Sequence, residues 1–495
     1  MPLFRKILIA NRGEIAVRVA RTCRALGIPA AAVYSEVDGD ALHVREADEA
    51  VPIGPAEAAR SYLDIGALLA AARKVGADAV HPGYGFLSQN AGFADAVAAA
   101  GLTFIGPPGP VHRAMGDKKG ARRLMARAGV PVVPGYEGDD QQDAALLAEA
   151  DRIGWPVMIK PSRGGGGKGM RAVGRREDFA AALGASRREA RAAFGDDVVV
   201  LERFVARPRH VEVQILADDH GAVLHLLERE CSIQRRHQKV LEETPSPALT
   251  PEGRAALYAA AVAAARAVGY RNAGTVEFLL APDGAFYFLE MNTRLQVEHP
   301  VTEAVTGLDI VRLQIEVAAG RPLPIAQADV AGRGHALECR LYAEDPDNDD
   351  LPSPGRILHL AAPEGPGVRF DSGIAAGSEV TVHYDPLLAK LVTWGWDRAE
   401  AVARMAAALR RTAVLGVVTN LALLQAVVGH PAFRKGELHT GFLDEHLRET
   451  RAPACPPPEA VAAAVAALHR SRPDPRARAI FAPDPWASLG VWRIG

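Results

Sequence analysis

The sequence predicts an α/β protein with a doubly wound parallel α/β domain at its start, a central section of hairpins with a small mobile glycine-loop lid, and a C-terminal α+β section. Three observations predict it. Short β-rich runs alternate with Ala-rich helical segments to about residue 115. The run Gly164-Gly165-Gly166-Gly167 stands between two strand signals. Beyond it, alternating strands are joined by turn sequences such as Asp283-Gly284.

In chain order, a strand is expected over Lys6–Ala10, then the turn Asn11-Arg12-Gly13 and a helix from Glu14 toward Leu26. Strands follow at Ala30–Tyr34, Ala79–His81 and Thr103–Ile105. Asn11-Arg12-Gly13-Glu14 has only one of the glycines of a dinucleotide fingerprint, which excludes a nicotinamide site there. The lid spans about 132–204, with Val157–Lys160 and Met170–Val173 flanking the glycines. Hairpins continue to about residue 330, and the section from Gly334 to about His446 returns to strands and then helices. Pro453–Pro458 reads as a linker, Glu459–His469 as a short helix, and the remainder as a basic, proline-rich tail with Trp486 and Trp492.

A chain of 495 residues holds about three or four domains. Its net charge of −2 gives no global attraction to nucleic acid, so anion binding must come from local clusters. No apolar run approaches the roughly 20 residues that span a bilayer. The start, Met-Pro-Leu-Phe-Arg-Lys, lacks the long apolar core of a signal peptide, so cytoplasmic residence is expected. Cys23, Cys231, Cys339 and Cys455 form no Cys-x-x-Cys pair, which argues against a zinc site and a disulfide framework.

The densest chemistry lies in Glu290–Glu303, a stretch rich in acids and amides with one guanidinium, Arg294. Counting outward from an Asp283-Gly284 two-residue turn places Glu277 opposite Glu290. Like charges facing each other destabilise a hairpin unless a cation lies between them. Mg²⁺, which favours one or two carboxylates plus water and phosphate oxygens, fits that pair; two solvated glutamates on an exposed face are the alternative. The glycine run lets backbone N–H groups close on phosphate oxygens, and Lys160 ends the preceding strand where its ammonium reaches a phosphate; a merely mobile loop is the alternative. Arg209–Ala217 alternates as a half-buried strand with His210, Glu212 and Gln214 on its polar side, although a lone histidine is more often structural. Cys231–Lys239 is basic but lacks aromatics for base stacking and precedes Glu242 and Glu243, so a small anion suits it better than nucleic acid. If extended, Arg294, Gln296 and Glu298 share one side: a fork for an oxyanion, an amide, and a carboxylate able to take a proton.

Over about residues 3–446 the chain resembles biotin carboxylases, the ATP-grasp component of biotin-dependent carboxylases. The resemblance rests on Ile9-Ala-Asn-Arg-Gly-Glu-Ile-Ala16, His81-Pro-Gly-Tyr-Gly-Phe-Leu-Ser88, Met115-Gly-Asp-Lys118, the glycine loop, Arg209-His-Val-Glu-Val-Gln214, Gln234-Arg-Arg-His-Gln-Lys239 and Glu290 through Glu303, in that order. It implies an N-terminal domain over 1–115, an ATP-grasp domain over 116–330, a C-terminal domain over 331–446 and a linker and tail over 447–495. It also implies that Lys118, Lys160, His210 and Gly165, Gly166 and Gly167 contact ATP phosphates, and that Glu202, Gln234 and His237 surround adenine and ribose. Glu277, Glu290 and Asn292 would hold Mg²⁺, or Mn²⁺ in its place. Lys239, Arg294, Gln296, the Val297 backbone and Glu298 would hold bicarbonate, with Arg340 at the biotin ureido oxygen and Tyr84 near its ring. Glu298, Arg340, Lys239 and Arg294 would then be catalytic.

Two local departures stand out: Pro161-Ser162-Arg163 precedes the glycines where smaller residues are familiar, and Gln89 replaces an acid. No Met-Lys-Met biotin-attachment motif occurs, so a biotin carrier is expected on another polypeptide or on a continuation of the chain. The tail resembles the beginning of a linker in acyl-CoA carboxylase α-subunits. A carboxyltransferase partner and an oligomeric assembly complete what the resemblance implies.

Overall fold

Strand Ile7–Ile9 feeds two cores at once. In the computed structural model, which describes residues 3–162, 169–346 and 348–447, it lies at the centre of a five-stranded sheet. It pairs in parallel with Ala30–Ser35 and Ala79–His81, and the parallel edge strands are Glu49–Gly54 and Thr103–Phe104. Successive side chains point to opposite faces, so Ile7 and Ile9 pack with Ile15, Val19 and Ile310 while Leu8 packs with Val33, Leu68 and Phe93. A parallel sheet covered on both faces is the doubly wound arrangement expected from the sequence. Glu49–Gly54 is a strand its residues do not announce, because Pro52 and Glu49 are poor strand formers tolerated at an edge.

The lid section is a four-stranded antiparallel sheet, Gly135–Tyr136, Val199–Arg203, Val157–Pro161 and Arg171–Val173. Helices Asp143–Ile153 and Phe179–Phe194 supply Leu146, Phe179 and Leu183 to a core with Val157, Ile159 and Leu201. Gly165, Gly166 and Gly167 lie outside the described residues, as do Cys455, the linker and the tail from residue 448.

An eight-stranded antiparallel sheet forms the rest of the scaffold. Its order is Phe286–Asn292, Asn272–Leu280, Arg209–Ala217, Val223–Arg235, Gln238–Thr244, His335–Tyr342, Leu387–Gly395 and Val368–Ser372. The sheet is continuous across the connection near residue 330, because Gln238–Thr244 pairs directly with His335–Tyr342. Helix His299–Thr306 seals one face through Val301 and Val305, which pack on Ala336 and Val392.

Two local expectations need correction. The hairpin loop has three residues instead of two: Ala281 N–H donates to Ala285 O at 2.7 Å, and Gly284 takes a φ of 86°, which a Cβ would disfavour. Glu277 nevertheless opposes Glu290, because a bulge between Phe278 and Glu277 restores the register that the longer loop shifts. Arg209–Ala217 is not half-buried; from His210 onward both faces are buried, since its polar side forms the floor of a charged cavity.

Cys23, Cys231 and Cys339 are buried free thiols, and no helix among the described residues is long and apolar enough to cross a membrane. Burial pushes His43, His81 and His112 each down to about 4. An unfolded histidine titrates near 6.5, so between those values the unfolded chain binds protons that the folded chain does not. Stability is therefore expected to fall as pH drops from about 6.5 toward 4, by on the order of 3 kcal/mol per histidine. Urea unfolding at pH 7.5 and pH 5 checks this; equal or greater stability at pH 5 contradicts it.

Candidate active site

The polar face of the large sheet and the small sheet enclose a cavity of about 810 Å³. Its lining brings together Lys118, Lys160, Glu202, His210, Gln234, His237, Lys239, Glu277, Glu290, Asn292, Arg294, Gln296, Val297, Glu298 and Arg340. Residues spread over more than 200 positions converge because alternate positions of neighbouring strands point to one face.

Lys239 is the hub. Its Nζ lies 2.5 Å from Glu212, 2.8 Å from Glu277 and 2.7 Å from Glu298. Arg340 bridges Glu298 at 2.9 Å and Glu242 at 2.5 Å. Burial pushes a carboxyl up, but at Glu298 the charges of Lys239, Arg340 and Arg229 outweigh it and hold the group well below the usual range. At Glu277 burial is likewise outweighed, by Lys239 and His210. Glu212 goes the other way, raised by burial and by the neighbouring charge of Glu298.

At the other end, Lys118 opens helix Lys118–Arg127 and Lys160 is ion-paired with Glu202. Arg122 holds the second oxygen of Glu202 at 3.0 Å. Burial lowers the Lys118 ammonium against the pull of Glu290 and Glu202. His210 Nε2 lies 2.9 Å from Glu277 and its Nδ1 2.7 Å from Gln234 Nε2. The turn joining two sheet strands holds Arg236 and His237 at φ 49° and 66°, strained values for side chains of that size, and so aims His237 into the cavity.

The donor set suits a divalent cation. Glu277 faces Glu290 across the hairpin, Asn292 Nδ2 donates to Glu277 at 2.8 Å, and the Glu290 carboxylate has no hydrogen bond or ion pair among the described residues. Gln89 braces this corner: its Oε1 accepts from the Thr293 N–H at 2.8 Å and its Nε2 donates to Asn292 at 3.4 Å.

Thr293–Glu298 is not extended, so strand alternation is not what would put Arg294, Gln296 and Glu298 on one side. It is irregular, with Glu298 at the N-cap of helix His299–Thr306, an end that favours negative charge. Arg294, Gln296 and Glu298 still share the cavity because the loop folds back: Arg294 donates to Gln296 and to the Leu295 carbonyl, the latter at 2.9 Å. Tyr84 is not part of the lining. Its hydroxyl donates to Glu14, and Glu14 is 3.2 Å from Lys390, whose Nζ also donates to the Val297 carbonyl at 2.8 Å.

Sequence reasoning misses several supports. Fully buried Arg229 donates to Glu212 at 2.6 Å and Gln214 at 2.8 Å, orienting the acid that faces Lys239. Only the register that pairs Glu212 with Arg229 reveals this. Lys390, Glu242 and Glu338 are equally invisible until strands from the middle and C-terminal sections are seen side by side.

Residues 3–111 match the family description "Biotin carboxylase, N-terminal domain", residues 117–326 "Carbamoyl-phosphate synthase L chain, ATP binding domain", and residues 338–445 "Biotin carboxylase C-terminal domain". The chain is 52% identical over 442 residues to a Nostoc biotin carboxylase, covering 89% of this chain and 99% of that one. It is 48% identical over 498 residues to the mitochondrial methylcrotonoyl-CoA carboxylase subunit alpha of Dictyostelium discoideum, covering 99% of this chain. It spans 70% of that relative's length and 60% of the Arabidopsis thaliana counterpart's. The biotin carboxylase domain dimer of Hydrogenobacter thermophilus 2-oxoglutarate carboxylase, solved with MgADP, ADP and bicarbonate, superposes with a TM-score of 0.86 at 44% identity, covering 90% of this chain and 98% of that one. With three successive domains matched and a biotin carboxylase relative 52% identical over 89% of the chain, the chain belongs to the biotin carboxylase family of ATP-dependent ligases.

Proposed function

We propose that this chain carries out the first half-reaction of an acyl-CoA carboxylase, the MgATP- and bicarbonate-dependent carboxylation of biotin on a carrier, with Glu298 as the base. The observation that carries the reading is one buried carboxylate contacting both Lys239 and Arg340 beside the guanidinium of Arg294. The cations that weaken Glu298 as a base also hold and acidify the oxyacid, so the transfer depends on the two groups meeting within hydrogen-bond reach.

The roles follow from position. Lys239, Arg294, Gln296 and the Val297 backbone orient bicarbonate, and Glu298 takes its hydroxyl proton. The carbonate oxygen so exposed attacks the γ-phosphorus of ATP, ADP leaves, and carboxyphosphate forms. Lys118, Lys160 and His210 offset charge on the phosphates, while Glu202, Gln234 and His237 surround the nucleoside. Glu277, Glu290 and Asn292 would hold Mg²⁺, which supplies charge neutralisation and orientation of the phosphate oxygens. Carboxyphosphate breaks down to CO₂ and phosphate. The phosphate accepts the ureido N–H proton of biotin, Arg340 stabilises the anion at the ureido oxygen, and the nitrogen bonds to CO₂. Tyr84 packs behind this region through Glu14 and Lys390. The family resemblance also assigns Gly165, Gly166 and Gly167, which lie outside the described residues, to the ATP phosphates.

Domain limits of 1–115, 116–330 with the lid at 132–204, 331–446 and a tail over 447–495 belong to this reading, supported by the matched ranges above. So do a biotin carrier, a carboxyltransferase subunit that selects the final acceptor, and a dimeric assembly. Cytoplasmic residence belongs to it as well, although relatives include mitochondrial subunits. The test is ADP release from MgATP and bicarbonate, with and without excess free biotin. Stimulation by biotin that vanishes without bicarbonate is expected; stimulation that persists without bicarbonate contradicts the mechanism.

A further inference from the structure

Behind Arg340 lies a second pair of acids that the half-reaction above does not use. Glu242 and Glu338 face each other in register on neighbouring strands, and both are fully buried. Their environments differ. Glu242 Oε1 accepts from Arg340 at 2.6 Å, whereas neither oxygen of Glu338 has a hydrogen-bond partner among the described residues. Two ionised carboxylates opposed in a dry strand pair repel strongly, so the pair is stable only with a proton on one of them. The unpartnered acid is the one to carry it, because ionising Glu242 is compensated by a guanidinium and ionising Glu338 is not.

We propose that Glu242 is a positioning residue that keeps Arg340 tethered when Glu298 takes its proton, and that Glu338 is a neutral acid whose proton lets Glu242 remain ionised. The proposal rests on the reading that Glu298 is the base and Arg340 meets the biotin ureido oxygen. Arg340 is shared between Glu298 and Glu242. Once Glu298 is neutral its hold on the guanidinium weakens, and Glu242 becomes the anionic anchor that stops Arg340 drifting from the ureido oxygen. The same partner eases the proton transfer, since an Arg340 held by Glu242 opposes protonation of Glu298 less than one resting on Glu298 alone.

The charges around the pair favour the proton on Glu338 over Glu242. Arg340, Lys390, Lys239 and Glu298 act on the pair. Burial pushes Glu338 well up, and Lys390 and Arg340 do not reverse it. Glu242 is pushed up to about 7, by burial against the opposing pull of Arg340.

The test compares wild type, Glu242→Gln, Glu242→Asp and Glu338→Gln as full chains with MgATP, bicarbonate and excess free biotin, counting ADP and carboxybiotin. Glu242→Gln is expected to raise ADP formed per carboxybiotin about tenfold or more, with the ATP KM within about twofold, because a misplaced Arg340 lets carboxyphosphate be lost to water. A general packing defect would lower both products in proportion. Glu242→Asp, which keeps the charge at shorter reach, is expected to fall in between. Glu338→Gln mimics a protonated acid and is expected to keep the wild-type ratio within about twofold. Infrared difference spectra give an independent readout: a carboxylic-acid C=O band at neutral pH should disappear in Glu338→Gln. Unchanged coupling in Glu242→Gln, equal uncoupling in Glu338→Gln, or no acid band lost overturns the proposal. A wild-type protein that makes no carboxybiotin overturns the reading of the active site instead, while the infrared result still decides where the proton sits.

Discussion

Glu298→Gln is expected to lower biotin carboxylation by about 10²- to 10⁴-fold, the range for removal of a general base, while ATP affinity stays within about threefold. The amide keeps the shape of a side chain only 1% exposed, so packing is preserved. It cannot accept the bicarbonate proton, and it removes the anion that Lys239 and Arg340 share. ATP affinity is expected to be spared because Lys118, Lys160 and His237, proposed to meet the nucleotide, belong to other elements of the cavity. ADP and carboxybiotin formation, with nucleotide binding measured in parallel, checks the split. Turnover equal to wild type would remove Glu298 from the chemistry, and a matching loss of ATP affinity would mean that it organises the pocket as a whole.

The place of Glu298 in the cavity is legible in the sequence through local chemistry, and so is most of the lining. Strand Arg209–Ala217 announces its polar side by alternation, and the turn sequence announces that Glu277 opposes Glu290. Yet a two-residue turn gives the same pairing only by coincidence, because the actual three-residue loop shifts the register and a bulge shifts it back. Arg294, Gln296 and Glu298 converge through an irregular loop, so their shared side does not come from strand alternation. What stayed hidden is long-range. Arg229, Glu242, Glu338 and Lys390 look like ordinary charged residues until the register shows that they sit in the interior of the sheet. Periodicity tells which face a residue takes but not what lies across from it.

Lys239→Met is expected to be the most destabilising single change in the cavity, by about 3–5 kcal/mol, because it leaves buried charge unpaired. Methionine fills much the same space, so the loss is electrostatic. Glu212, Glu277 and Glu298 all lie on Lys239, and their exposures are 0%, 3% and 1%. An ordinary surface pair would give less than about 1 kcal/mol. The deficit has a defined pH dependence. In the wild type Glu277 and Glu298 titrate well below the usual carboxyl value, so the stability they contribute is present above about 4.3, the unfolded value, and is lost as pH falls through their folded values. Without Lys239 those depressed values rise, and the folded variant takes up protons that neutralise the repulsion. The difference between variant and wild type should therefore be largest near pH 7.5 and narrow on acidification, as measured by urea unfolding at both ends. Adding Glu212→Gln should recover part of the loss at pH 7.5, since it removes one of three clustered negative charges while Arg229 keeps a hydrogen bond to the amide oxygen. A deficit that is independent of pH, or a double variant no more stable than the single one, would show that Lys239 acts by packing and not as the counter-charge of the three acids.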